Sequence, residues 1–247
     1  MELRSFELET ENRRNWFVPY AQAAANAETE AEGTVDILAW LSPNTVVVQE
    51  PHAFLLPKEV SLGYRPVHHA LIGSRFDQEL DSFWSVVYNF CDVPQERVFP
   101  MTTQVENIYV RPYFNAGFLI VRPELSILRN WRDLFFSICS LPDLTRFYKA
   151  DNRYQTFIHQ AILSGVILNK LTTEMIAELP PSYNYPVHLH EEDRTPDRPK
   201  TMDDTVVFRH EGFYAKQNWL ETFPARSQLA SWLSERVAEF SKTEKES

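Results

Sequence analysis

Apolar residues recur along this chain with two different periods. Phe76, Leu80, Phe83, Trp84, Val87 and Tyr88 are spaced by three and four, and so are Leu125, Leu128, Trp131, Phe135 and Ile138. Leu229, Trp232, Leu233, Val237 and Phe240 repeat the pattern near the end. Each set marks one face of an amphipathic helix. Residues 15–32 are rich in Ala, Gln and Glu and meet Gly33, which predicts a long helix with Pro19 near its start and a glycine stop. Residues 154–163 predict another helix, which Gly165 would close.

Between these stretches the pattern changes to β-branched and apolar runs. Residues 35–41 and 45–49 read as one strand interrupted by the turn-forming Ser42-Pro43-Asn44. Residues 60–67 and 205–209 predict strands, residues 103–110 alternate in part, and residues 117–121 form the continuous apolar run of a strand buried on both faces. Strands followed by helices predict an α/β fold with a mixed sheet. Pro196 and Pro199 bar a regular element from the charged stretch 190–204, which reads as an exposed loop. One domain over residues 1–241 with a tail at 242–247 is the expected organisation.

Charge narrows the partners. A formal net charge of −10 sets the chain against polyanions, so neither nucleic acid nor an anionic membrane surface is expected as its main partner. No apolar run is long enough to span a bilayer, and residues 1–10 lack the layout of a secretion signal. Cys91 and Cys139 have no metal-type spacing and fall in apolar helical patterns, so both are expected to pack as buried thiols in a reducing, cytoplasmic setting.

Four segments occur in an order that carries more information than any one of them. They are residues 38–51 with Ser42-Pro43-Asn44, residues 113–123 with Asn115-Ala116-Gly117, the run from His159-Gln160 to Leu163, and residues 179–186 with Tyr183-Asn184 followed by a late strand ending in His210. In this order the chain resembles the glycogenin-like branch of the GT-A glycosyltransferases over roughly residues 21–212. The resemblance implies a GT-A-like mixed sheet flanked by helices and transfer of a hexosyl group from a nucleotide sugar. It also implies a sugar-containing small-molecule ligand and a divalent metal, Mn or Mg, on the diphosphate. By position, Ser42, Asn44 and His210 stand where that family holds its metal. Asn115, Ala116, Gly117, Tyr183, Asn184 and Arg65 would line the sugar site, and Asp151, His159 and Gln160 the catalytic centre.

The chain departs from the family at several of these points. Ser42-Pro43-Asn44 offers a hydroxyl and an amide where Asp-x-Asp is usual, and hard divalent cations favour carboxylates. His159 replaces an acid, with Asp151 the nearest carboxylate upstream. Only residues 1–34 precede Val35, so much of the nucleotide-binding half is expected to be lacking and a homo-oligomer or a partner chain is expected to complete the sheet. Two readings follow. One is a glycosyltransferase-like enzyme, and the other a noncatalytic carbohydrate-binding or partner-assembly protein derived from one.

Other constellations compete with these. His188-Leu189-His190 would put two imidazoles on one face of an extended segment, as in a metal-dependent hydrolase, whereas His68-His69 would point to opposite faces. Arg65, Arg111 and Arg122, each followed by Pro, could converge on an acidic group or serve in separate salt bridges. Tyr183, Tyr185, Tyr214 and Trp219 offer stacking faces for a sugar or ordinary core packing.

Overall fold

The structure is a computed structural model that describes residue 5, residues 15–213 and residues 218–246, with residues 239–246 as backbone. Tyr214, the side chain of Phe240 and the amino-terminal stretch assessed for a leader lie outside the described residues. The continuous apolar run becomes β6 (Phe114–Val121), all eight of whose residues are buried. It sits inside a four-stranded sheet, antiparallel to β1 (Leu38–Leu41) on one side and to β3 (Leu62–Pro66) on the other. Beyond β3, β7 (Ile176–Glu178) adds in parallel, so the sheet is mixed and the chain is mixed α/β.

Burial on both faces follows from what covers them. α5 (Asn152–Lys170) packs on β6, α3 (Ile127–Ile138) packs on α5, and α1 (Val18–Ala31) packs on α3. On this side Phe114, Ala116, Leu119 and Val121 join the main core with Trp131, Phe135 and Ile162. Phe118 and Ile120 face the other way, into a smaller cluster with Leu56, Leu179 and Tyr183. α3 has no side-chain cap of its own, since Ser126 adopts the left-handed conformation. Glu28 of α1, fully buried, fills that role by accepting from the Leu128 and Arg129 amides at 3.1 and 2.8 Å.

Several expectations need correction. The two halves of the expected interrupted strand part company. β1 stays in the main sheet, while β2 (Thr45–Val47) pairs with β9 (Val207–Arg209), which in turn lies parallel to β8 (Tyr185–Pro186). The expected helix through Phe76 and Leu80 begins only at α2 (Ser82–Phe90), because Asp81 caps it by accepting from the Trp84 amide. The strand expected over residues 103–110 is instead a turn over residues 103–108 between two short strands, β4 (Met101–Thr102) and β5 (Tyr109–Val110). Gly165 does not close α5, which continues for five residues to Lys170. It provides clearance instead, as a Cβ there would collide with Cys91. The sequence periodicity also missed α4 (Pro142–Ala150). After the short α6 (Trp219–Thr222), α7 (Ser227–Glu246) carries helical backbone through residues 242–246, where a tail was expected.

Both cysteines are free and buried, and burial pushes the Cys91 thiol up to about 12, so it is an inert packing group. Among the described residues no helix is long and apolar enough to cross a membrane.

Candidate functional site

β6 does not run straight past β3. Tyr64 pairs with Leu119 and Pro66 with Phe114, so two steps along β3 match five along β6 and the strand bulges between. A bulge re-aims side chains. Asn115 and Gly117 line a cavity of about 660 Å³, while Ala116 between them faces the main core. The cavity is closed by Phe17 and Tyr20 from the start of α1, Ser42-Pro43-Asn44 from the β1–β2 turn, and Thr156, Phe157, His159 and Gln160 from α5. His68 and His69 after β3, His188 after β8, and Arg209 and Glu211 at the end of β9 complete it.

Gly117 is required by what stands opposite. A Cβ at this position would overlap Ser42 Oγ and come within 3.1 Å of Arg209 Nη1. Ser42 is tied down by two contacts: its amide donates to Gly117 O at 2.8 Å, and its hydroxyl shares a 3.1 Å hydrogen bond with Tyr20. Tyr20 also donates to Ala116 O at 3.2 Å. From α5, Gln160 Oε1 accepts from the Ala116 amide at 2.9 Å, which locks the bulge onto the helix. The hydroxyl and amide groups of the site are therefore held in place by backbone, as a preorganised binding site needs.

Among the described residues, the one arginine or lysine of the lining is Arg209. Its Nη1 donates to Asn115 Oδ1 at 3.2 Å and its Nη2 to Glu211 Oε1 at 2.6 Å, with the side chain 14% exposed. Glu211 also stands 3.7 Å from His188 Nε2. Burial, with Arg209 next, lowers the His68 imidazole well below its usual range, and burial also lowers His188 against the opposing pull of Glu211. His159 is held at about 3 by burial. Its ring stacks on Phe17, with centroids 3.7 Å apart and planes 11° apart, and its Nδ1 meets Thr156 O at 2.9 Å. It is a neutral wall of the cavity and not a base near neutral pH.

The sequence-derived residues divide into two groups. Ser42, Asn44, Asn115, Gly117, His159 and Gln160, though distant in sequence, meet in this cavity. Asp151 lies outside its lining, capping α5 by accepting from the Arg153 amide at 2.9 Å and pairing with the Arg153 guanidinium. Arg65 is a structural tie that donates to Glu178 and Leu179 O, both at 2.6 Å. Tyr183 packs with Phe54 and Phe118, and its hydroxyl accepts from the Ala53 amide. Asn184 is fully buried behind His68, in the left-handed region at φ +50°. His210 donates its amide to Asn44 O but places its side chain among Val187, Phe213 and Trp219.

That arrangement does not fit a divalent cation. Ser42 and Asn44 bring no charge, His210 faces elsewhere, Glu211 is engaged, and a guanidinium occupies the space beside Gly117. Among the described residues no group of three or more His, Cys, Asp or Glu is placed to hold a metal.

The competing constellations also resolve. Residues 187–189 form a 3-10 turn, so His188 enters the cavity while His190 turns to the Tyr185 hydroxyl at 2.7 Å. This is not the paired face of a hydrolase. His68 and His69 both line the cavity, against the expectation for adjacent strand residues, because they follow β3 and lie outside it. Arg111 and Arg122 donate to loop carbonyls in separate places and do not converge with Arg65. Tyr185 and Trp219 belong to a core cluster. The aromatic faces of the cavity come from Phe17, Tyr20 and Phe157, which belong to none of the four sequence segments. Arg209 immediately precedes His210 and carries no motif of its own. No protein-family model matches the sequence, and no curated protein matches it.

Proposed function

We propose that the protein is a glycosyltransferase-like protein of the GT-A type whose cavity binds a hexosyl-bearing ligand. The observation that carries this reading is convergence. Ser42-Pro43-Asn44, Asn115 with Gly117, and His159-Gln160 were singled out as three separate stretches of sequence, and they line one cavity. Its chemistry suits a sugar: amides and hydroxyls that both donate and accept, with aromatic faces at one side and a volume in the range of small-molecule sites.

Hexosyl transfer from a nucleotide-sugar donor is the reaction the resemblance implies. A second reading, noncatalytic carbohydrate binding, is favoured by one specific feature. Among the described residues the lining holds a single carboxylate, Glu211, and it is committed to Arg209. These described groups bind and orient a sugar more readily than they stabilise a leaving diphosphate.

Calorimetric titration with free hexoses and nucleotide hexoses, with and without manganese, tests both. Saccharide binding that needs no metal supports the binding reading. Manganese-dependent heat with steady release of the nucleotide supports transfer. Absence of binding by any saccharide at millimolar concentration overturns the assignment of this cavity to sugar.

A further inference from the structure

We infer that Arg209 forms an oxyanion subsite, so that the sugar ligand of this cavity carries an acidic group, a phosphate ester or a carboxylate. The identity of the ligand as a sugar rests on the preceding section; the subsite rests on the guanidinium. A guanidinium has five N–H donors, and Asn115 and Glu211 engage one each. Its Nε is shielded from solvent and has no hydrogen-bond partner among the described residues. Unused donors on a largely buried cation are costly, and an incoming oxyanion in the cavity satisfies the remaining Nη N–H groups with short, charge-assisted hydrogen bonds.

The surroundings fit this role. Gly117 lacks the Cβ that would crowd Nη1, so the strand makes room for the guanidinium. The charged and titratable groups facing the space are Tyr20 from α1, His68 and His69 after β3, His159 from α5, His188 after β8, and Glu211 beyond β9. Glu106 contacts His69 from outside the lining. Glu211 is the only acid of the lining among the described residues, and it competes with the ligand for Nη2. In a chain of net charge −10, the Arg209 guanidinium of the lining supplies the local positive charge that an acidic sugar would meet.

Calorimetry on the full chain with a neutral hexose, the hexose 1-phosphate, the hexuronate and inorganic phosphate decides the matter. The expected result is binding of one charged sugar about tenfold or more tightly than the neutral hexose, and which of the two binds identifies the acidic group. Arg209→Gln should abolish that advantage. Glu211→Gln should strengthen charged-sugar binding, a gain that misfolding cannot mimic. Equal binding of neutral and charged sugars, insensitive to Glu211→Gln, overturns the subsite and leaves the sugar reading intact. Phosphate binding that Arg209→Gln removes, with no sugar bound, supports the subsite and overturns the sugar reading. No binding in any arm overturns both.

Discussion

Gly117 faces Ser42 so closely that the glycine hydrogen is the largest substituent the serine hydroxyl tolerates. The contact joins the bulge of β6 to the end of β1 and fixes the floor of the cavity. Gly117→Ala is therefore expected to destabilise the fold by about 1–3 kcal/mol through overpacking. Urea unfolding measures it, and Gly117→Ala combined with Ser42→Gly should recover part of the loss. Full additivity of the two changes would mean that they do not touch.

α5 contains a similar dependence. Helix propensity alone would make Gly165→Ala stabilising by about 1 kcal/mol. The collision with Cys91 reverses the sign, and a net loss of about 1–3 kcal/mol is expected. Placing alanine at both positions 91 and 165 removes the Sγ overlap but leaves the two Cβ atoms 2.7 Å apart, so the double variant should be more stable than the sum of the two single changes and still less stable than the parent. Thermal unfolding of the three proteins checks this.

Glu28 holds the amino end of α3 from another helix. Glu28→Ala leaves the Leu128 and Arg129 amides without their acceptor in a buried setting, an expected cost of about 1–3 kcal/mol. Glu28→Gln keeps one acceptor oxygen and should cost less than Glu28→Ala. Hydrogen exchange at these two amides reports the site directly: both should lose protection in Glu28→Ala.

The pH dependence of stability follows from His159. Burial lowers its folded pKa from 6.5 to about 3, so the unfolded chain takes up this proton first as pH falls. Its contribution is fully present above pH 6.5 and is lost progressively below that value until pH reaches about 3. From this residue alone, stability at pH 5 should be about 2 kcal/mol lower than at pH 7. His68 and His188 are lowered by burial as well and act in the same direction. His159→Gln, which does not titrate, should flatten the profile between pH 7 and pH 5 in denaturant titrations; an unchanged slope would place the titration elsewhere.

The sequence by itself determined the buried strand. Eight residues from Phe114 to Val121 include no charge, and such a run can be satisfied only between two covering layers. It also determined α1, α3 and α7, whose apolar spacing or helix-forming composition is local, and the expectation that Asn115, Gly117, His159 and Gln160 belong together. Two corrections are local: Asp81 caps a helix start later than Phe76 and Leu80 suggest, and Asp151 is committed to Arg153 two residues on. Tertiary structure decided the rest, because the deciding contacts join distant segments. Gly165 has the look of a stop, and only Cys91 across the core shows it to be a clearance. Arg65 carries a charge that a binding reading attracts, yet it is already committed to Glu178 on the neighbouring strand. Arg209 shows the converse: nothing in its local sequence marks it, and it becomes the central cation only because β9 ends beside the bulge of β6, where Asn115 and Glu211 hold it against a space that Gly117 leaves open.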